Sequence, residues 1–230
     1  MDIATTPRPA RGPRTRIPRH IGFIPDGNRR WALGQGRSRQ EGYAAGITPG
    51  LRLLERCHEL GIQEVSIYGF TIENTSRARV QVNAFRGACV EFAQAAIAGG
   101  AALLAIGDSR STLFPRELAP FLATRSLGHL KVNLLVHYSF AWDVRQLSNA
   151  PPQSAGVAHH GPMDRLGSHG ASRIDLVVRW GGRRRLSGFL PFQTAYADLH
   201  VVDTLWPDMQ MGELDGALAW YAQQEATLGG

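Results

Sequence analysis

The amino-acid sequence predicts one α/β domain with a mainly parallel central sheet flanked by helices. Short apolar runs of strand length alternate with stretches that repeat apolar residues at helical spacing, and this alternation favours parallel strands joined by crossover helices. A chain of 230 residues is long enough to bury the core of one such domain. Residues 1–18 are rich in Pro and Arg and predict a disordered basic tail, so we expect the domain to span residues 19–230.

Apolar runs and helical periodicity give the elements in order. Five strands are predicted, at residues 21–24, 65–70, 101–106, 132–138 and 174–178. Besides a helix that starts after the first strand, helices are predicted at residues 43–60, 80–97 and 115–123. The stretch 149–172 is rich in Gly, Pro, Ser and His and predicts a long loop. Its histidines, His159, His160 and His169, lack the spacing of a metal site.

The charge balance favours an anionic partner. The formal charge is +6, and of the 25 basic residues only Lys131 is a lysine. Arginine binds phosphate oxygens with a planar, two-pronged guanidinium, although a GC-rich genome would give the same bias. Nucleic acid is an alternative partner. That function needs aromatic rings interleaved with exposed basic residues, and only Trp31 and Trp180 approach the pattern, so we expect no nucleic-acid partner.

Two further observations bear on the compartment. Cys57 and Cys89 lie inside apolar helical patterns, which predicts small core residues in a reducing compartment. There is no run of 18 apolar residues and no apolar segment of a secretory signal, so we expect no integral membrane contact. These features together predict a cytoplasmic protein.

The first candidate site follows the strand at 21–24. Asp26, Gly27 and Asn28 lead into a helix, whose free N–H groups favour an anion, and Arg29 and Arg30 add phosphate-binding side chains. Asp26 is the natural oxygen ligand for a Mg²⁺ that bridges to phosphate. The alternative interpretation is an ordinary turn with an Asn or Asp cap.

Two more polar clusters follow later strands. Thr71, Glu73, Asn74 and Arg77 come after the second strand, where open α/β sheets bind ligands. The stretch 179–187 combines glycines, arginines and a serine, and its crowded positive charge favours an anion. A solvated charged turn is the alternative for this stretch.

These motifs resemble those of the cis-prenyltransferase family, the undecaprenyl diphosphate synthases, over about residues 20–225. The resemblance implies that Asp26 is essential and binds Mg²⁺, and that Asn74 and Arg77 act with it at the breaking C1–diphosphate bond. It implies that the first diphosphate is held by the loop residues Gly27, Asn28, Arg29, Arg30 and Trp31 with Arg39. It also implies that Arg179, Arg185 and Ser187 bind the second diphosphate, and that Asp198 is a metal-associated residue in a homodimer.

Several positions depart from the family pattern. Tyr43 stands where the family usually has histidine, Thr75 where it has tryptophan, and Arg183 where it has glutamate. These three positions, like Thr71, belong to the part of the site that would bind the acceptor substrate. In this respect the sequence is similar to irregular members of the family, which make branched or cyclic lavandulyl-type diphosphates. Phe85 and Phe92 would fill the tunnel that a long product needs.

The resemblance therefore implies irregular coupling of dimethylallyl diphosphate. Two alternatives stay open at this point. One is regular cis elongation with isopentenyl diphosphate, and the other is a non-catalytic partner subunit of a heteromeric prenyltransferase. The second alternative is disfavoured because both anion-binding clusters are retained.

Overall fold

The computed structural model describes residues 16–149 and 162–224. Within these residues the chain forms a six-stranded parallel sheet in the order β3-β4-β2-β1-β5-β6. The strands are β1 (His20–Ile24), β2 (Glu64–Tyr68), β3 (Ala101–Ile106), β4 (Leu130–Leu135), β5 (Leu176–Arg179) and β6 (Asp198–Val201). The predicted fold class is confirmed.

Six α-helices lie in the described residues. They are α1 (Asn28–Gly34), α2 (Glu41–Ala45), α3 (Ile47–Glu59), α4 (Arg79–Ala98), α5 (Phe140–Asn149) and α6 (Met211–Ala222). Short 3₁₀ helices cover Ile72–Ser76, Arg116–Phe121, Pro162–Arg165 and Trp206–Asp208. No helix in the described ranges is both long and apolar enough to cross a membrane.

The two faces of the sheet carry separate apolar cores. Ile21 and Phe23 of β1 point to one face, where they pack with residues of α3, α4 and α6. Ile24 belongs to the second core, with Trp142 of α5 and Phe189. Successive strand residues point to opposite faces, so burial on both sides explains why the strands are continuous apolar runs.

The strand order fixes where a ligand site can form. The chain leaves β1 toward β2 on one side, whereas β5 leads to β6 on the other side. β1 and β5 are neighbours, paired from Ile21 with Leu176 to Ile24 with Arg179. Adjacent strands whose connections diverge open a crevice at their carboxyl ends. Asp26 follows β1 and Arg179 ends β5, so both lie at this crevice.

A buried polar network lies at the opposite end of the sheet. His20 Nε2 is 2.9 Å from Ser66 Oγ, and Asn133 donates to both Ser66 Oγ and Glu64 Oε1. Ser172 Oγ donates to the other oxygen of Glu64. Burial lowers the pKa of His20 despite the nearby Glu64 carboxylate. Burial alone would raise the pKa of Glu64, but His20, Asn133 and Ser172 outweigh it and lower that pKa.

Several predicted elements differ from the structure. The helix predicted at 43–60 is two helices, α2 and α3, separated by Gly46, and Pro49 falls harmlessly in the first turn of α3. The helix predicted at 115–123 is a 3₁₀ helix with Pro120 inside, because proline cannot donate a helical hydrogen bond. α5 and β6 were not predicted. Their sequences are partly polar and short, which weakens periodicity.

Two predictions fall partly beyond the described residues. Residues 1–15 of the predicted tail, and residues 150–161 of the predicted loop with His159 and His160, lie outside them. Of residues 16–18, Ile17 is exposed, whereas Pro18 is buried and the Arg16 guanidinium lies 4.0 Å from the centre of the Tyr221 ring. This cation–π contact gives the end of the basic tail a partner on α6.

Candidate active site

A polar cleft opens at the carboxyl ends of β1, β2 and β5, with a cavity volume of about 440 Å³. Six arginines and two carboxylates line it, together with neutral polar residues. The arginines are Arg29, Arg30, Arg77, Arg179, Arg183 and Arg185, and the carboxylates are Asp26 and Glu73. This excess of positive charge in a concave site favours a polyanionic ligand. We call it the anion cleft.

The turn that carries Asp26 is fixed by its backbone. Gly27 has φ of 114°, and a Cβ there would lie 2.9 Å from Leu205 Cδ2, so only glycine fits. The Trp206 amide donates to the Asp26 carbonyl at 3.0 Å. The segment that ends in Trp206 therefore braces the turn from behind. α1 is only seven residues long, so arginine side chains rather than a long helix dipole supply the positive charge here.

Arg179 joins the two predicted anion-binding clusters into one site. Its Nη2 donates to Asp26 Oδ2 at 2.7 Å, and its Nη1 donates to the Arg185 carbonyl and to Ser187 Oγ at 2.6 and 3.0 Å. The side chain of Arg179 is 5% exposed, whereas that of Asp26 is 34% exposed. The sequence predicts separate sites for Asp26 and Arg179. In the structure the two side chains form an ion pair.

Arg30 makes a second link between the β1 and β5 loops. Its Nη2 donates to the Gly181 carbonyl at 2.8 Å and lies 3.5 Å from Asp26 Oδ1. Gly181 has φ of 84°, and a Cβ there would lie 2.5 Å from Arg30 Nη2. Glycine at 181 therefore leaves the space that the guanidinium of Arg30 occupies.

The turn after β2 brings Asn74 and Arg77 to the cleft. Asn74 Oδ1 accepts a hydrogen bond from the Thr71 amide at 3.1 Å, which closes the turn on itself. Thr71 also forms a parallel bridge with Tyr138, three residues beyond the end of β4. Arg77 Nη1 donates to the Tyr43 hydroxyl at 2.9 Å. These contacts fix the turn relative to the sheet.

An apolar pocket extends from the anion cleft toward the core, between the sheet and helices α3 and α4. Its cavity volume is about 60 Å³, and Tyr43, Phe85, Phe92 and Trp206 are among its lining residues. Tyr43 and Phe85 line the anion cleft as well, so the two cavities adjoin. A ligand with a charged head and a small apolar tail would match this arrangement.

Most of the predicted site residues meet at the cleft. The thirteen that line it are Asp26, Gly27, Asn28, Arg29, Arg30, Tyr43, Thr71, Asn74, Arg77, Phe85, Arg179, Arg185 and Ser187. Three others lie apart from its lining. Trp31 Nε1 donates to Asp208, Thr75 Oγ1 donates to the Ile72 carbonyl, and Arg39 is exposed on the loop after α1.

Asp198 is not brought next to Asp26 within one chain. It begins β6 and pairs with Leu176, at the amino-terminal edge of the sheet, where it contacts Arg16 at 3.5 Å. The carboxyl end of β1, at Ile24, lies three residues and about 10 Å beyond the level of Asp198, and Asp26 follows that end. A metal site that includes both carboxylates requires a second copy of the chain.

Sequence reasoning did not assign a role to two cleft residues. Tyr68 lines the cleft, and its hydroxyl donates to the Ser187 carbonyl at 2.8 Å, which holds the loop after β5. Burial raises the pKa of Tyr68, so it stays a neutral donor. Arg183 also lines the cleft. The position of Tyr68, two residues before the end of the strand predicted at 65–70, was the available signal for its role.

The fold and this site define an α/β protein with an arginine-lined anion cleft above a small apolar pocket. Residues 24–229 match the family model Prenyltransf, described as putative undecaprenyl diphosphate synthase. The chain belongs to this family, whose members are enzymes that transfer prenyl groups.

Individual relatives agree with the family assignment. The chain is 31% identical to ditrans,polycis-undecaprenyl-diphosphate synthase ((2E,6E)-farnesyl-diphosphate specific) of Yersinia pseudotuberculosis, over 94% of this chain and 91% of that protein. It is 35% identical to the enzyme of the same name from Salmonella typhimurium, over 92% of this chain and 90% of that protein. A crystal structure of lavandulyl diphosphate synthase from Lavandula x intermedia, in complex with dimethylallyl diphosphate, has the same fold. Its TM-score is 0.81 at 22% identity, over 93% of this chain and 99% of that one.

Proposed function

We propose that this prenyl diphosphate synthase couples dimethylallyl diphosphate to a second short isoprenyl diphosphate in an irregular, head-to-middle manner. The products would be a branched or cyclic lavandulyl-type diphosphate and free diphosphate. The observation that carries the proposal is the size of the apolar pocket below the anion cleft.

The pocket suits one isoprene unit. One water needs roughly 10–15 Å³ of such space, so a cavity of about 60 Å³ takes roughly four to six heavy atoms. The ring of Phe92 packs against α3 at Gly50, where an added Cβ would lie 2.8 Å from Phe92 Cε2, so the ring occupies space that a longer tail would need. Both aromatic rings predicted to fill a tunnel, Phe85 and Phe92, line this pocket. The packing supports a short product.

The first diphosphate would bind to Arg29 and Arg30, beside Asp26, which would hold the Mg²⁺. As the C1–oxygen bond breaks, its electron pair goes to the leaving diphosphate, and negative charge grows on the oxygens. Arg77 and Asn74 line the same cleft and would stabilise that charge. Tyr43 and Phe85 would shield the allylic cation from water.

The second diphosphate would bind at Arg179, Arg183, Arg185 and Ser187. The internal alkene carbon of this substrate would then attack C1 of the cation, forming the new carbon–carbon bond. Loss of a proton from the branched cation gives a lavandulyl skeleton, and internal trapping followed by proton loss gives a ring. The departed diphosphate is the base in this scheme, because no histidine stands at position 43 to accept the proton. The residues of the cleft therefore act by positioning and charge stabilisation.

The residues of the cleft fit a magnesium ion that is held mainly by substrate. Among residues 16–149 and 162–224 no group of three His, Cys, Asp or Glu side chains could hold a metal. Mg²⁺ is commonly bound through one or two carboxylates together with substrate phosphates and waters, and Asp26 is partly exposed at the cleft. A bound Mg²⁺ would supply positive charge to the leaving diphosphate.

A homodimer is part of the proposal. Asp198 lies at the amino-terminal end of the strands, whereas Asp26 of the same chain lies beyond their carboxyl ends. A role for Asp198 in the metal site therefore depends on a partner subunit. Asp198 belongs to β6, whose outer edge has no neighbouring strand among the described residues. An unpaired strand edge is available for contact with another chain.

Regular cis elongation with isopentenyl diphosphate is the second candidate function. The names of the curated relatives, at 31% and 35% identity, favour it. The two candidates differ in substrate requirement and in product length, so one assay separates them.

The test is to incubate purified protein and Mg²⁺ with dimethylallyl diphosphate alone, and then to identify the dephosphorylated product. We expect a branched or cyclic product of two isoprene units. A requirement for isopentenyl diphosphate, followed by linear products, would overturn the irregular coupling and support the second candidate. The matched control is Asp26→Asn, which should give no product.

A further inference from the structure

We propose that Tyr43 is a positioning residue that holds Arg77 toward the anion cleft and keeps its charge available for diphosphate. This inference rests on the proposed function, because the anion is taken to be the diphosphate of a substrate. It assigns to Tyr43 a role in diphosphate binding that acts through Arg77 and not through a direct contact with the diphosphate.

The ring of Tyr43 is held rigidly. Tyr43 is 4% exposed, and its ring stacks on Phe85 with a centroid distance of 4.4 Å and an angle of 5° between the planes. Phe85 is held in turn by an edge-on contact with Phe70 at 5.6 Å. Two packed aromatic contacts leave the Tyr43 hydroxyl in one place.

That hydroxyl is the partner of Arg77. It accepts a hydrogen bond from Arg77 Nη1 at 2.9 Å, and the centre of the Arg77 guanidinium lies 5.7 Å from the centre of the Phe85 ring. The stacked pair of Tyr43 and Phe85 thus holds the guanidinium through both a hydroxyl and a ring face. Asn74, three residues before Arg77, fixes the other end of the same turn.

The choice of a phenol as partner preserves the charge. Burial lowers the pKa of Arg77, the Arg29 guanidinium lowers it further, and the Tyr43 hydroxyl opposes both effects. A carboxylate at this place would form an ion pair and neutralise the guanidinium. A neutral acceptor positions Arg77 and leaves its remaining donors for an anion. Arg179 differs in this respect, since it is already paired with Asp26.

A double-mutant cycle on the full-length protein tests this role, with inorganic diphosphate as the probe and calorimetric titration as the measurement. Arg77→Ala should weaken diphosphate binding roughly ten- to hundredfold, because a charge-assisted hydrogen bond is lost. Tyr43→Phe keeps the stacked ring and removes the hydroxyl, and should weaken binding roughly two- to tenfold. The double variant should bind no more weakly than Arg77→Ala, because Tyr43 acts only through Arg77.

The control is Tyr221→Phe, which removes another buried tyrosine hydroxyl, next to Arg16 and far from the cleft. It should bind diphosphate like the wild type, and thermal unfolding should show that all variants are folded. Additive losses in the cycle would show that Tyr43 contacts the anion directly and would overturn the inference. Wild-type affinity in Tyr43→Phe, or no binding by the wild type, would also overturn it.

The prenyl product assay is separate from this cycle. A non-additive cycle in a protein that makes no prenyl product would leave the role of Tyr43 standing and would remove the proposed function.

Discussion

Replacing Arg179 with alanine tests whether one guanidinium holds the whole cleft together. The structure gives Arg179 three hydrogen bonds, to the Asp26 carboxylate, the Arg185 carbonyl and the Ser187 hydroxyl. Arg179→Ala removes all three and leaves the carboxylate of Asp26 without its closest cation. We therefore expect both a less stable protein and a weaker diphosphate site.

The magnitude follows from the burial of each partner. Breaking a buried ion pair costs about 3–5 kcal/mol, but Asp26 is one-third exposed and recovers much of its solvation, so that share falls to about 1 kcal/mol. The two hydrogen bonds to Arg185 and Ser187 contribute about 1 kcal/mol each, below the roughly 1.5–3 kcal/mol usual for a charged donor. The lower value is used because Nε of the same guanidinium is buried without a partner among the described residues, and its desolvation offsets part of their contribution. The expected loss of unfolding free energy is about 3 kcal/mol.

Urea unfolding at pH 7, monitored by circular dichroism, measures this loss. The matched control is Arg184→Ala, since Arg184 is exposed, lies in the same loop and does not line the cleft. The control should change the unfolding free energy by less than about 0.5 kcal/mol. The reasoning would be refuted if Arg179→Ala unfolded like the control and kept the Michaelis constants of both substrates.

Three other predictions follow from the same contacts. Asp26→Ala should lower turnover by at least about a hundredfold with Mg²⁺ present, and near-normal turnover would contradict the assigned role. Mixing Asp26→Ala with Asp198→Ala chains should restore part of the activity if subunits share the metal site, whereas purely monomeric sedimentation would exclude sharing. The lowered pKa of buried His20 means that the unfolded chain binds a proton more readily, so the stability this residue contributes is full above about pH 6.5 and is lost as the pH falls. Protonation of this histidine in the unfolded chain should therefore lower the free energy of unfolding by up to about 1.4 kcal/mol per pH unit below about pH 6.5. The melting temperature should be lower at pH 5.5 than at pH 7, and a melting temperature that does not change with pH would contradict this prediction.

The parallel sheet could be predicted because its strands are buried on both faces. Residues 101–106 read as an apolar run and form β3 with the predicted bounds. β6 could not be predicted in the same way, because Asp198–Val201 is half-buried at the edge of the sheet and includes His200. α5 was missed because Asp143, a charged residue in an otherwise mixed stretch, is buried and accepts hydrogen bonds from Tyr138 and Ser168.

The cleft was largely predictable from the positions of polar residues after strands. Asp26, Asn74 and Ser187 all follow strands, and all three line the cleft. The direct contact between Asp26 and Arg179 could not be predicted, because it depends on β1 and β5 being neighbours although they are far apart in the chain. The same holds for Tyr43, whose contact with Arg77 joins α2 to the turn after β2.

The central claim is that the anion cleft opens onto a pocket sized for a single isoprene unit. The most direct measurement is the affinity of the protein for non-hydrolysable thiolo analogues of dimethylallyl, geranyl and farnesyl diphosphate, determined by calorimetric titration. All three share the charged head and differ only in tail length. We expect the dimethylallyl analogue to bind at least as tightly as the others, with no gain of affinity for the longer tails. Affinity that rises steadily with tail length, with farnesyl tightest, would contradict the claim.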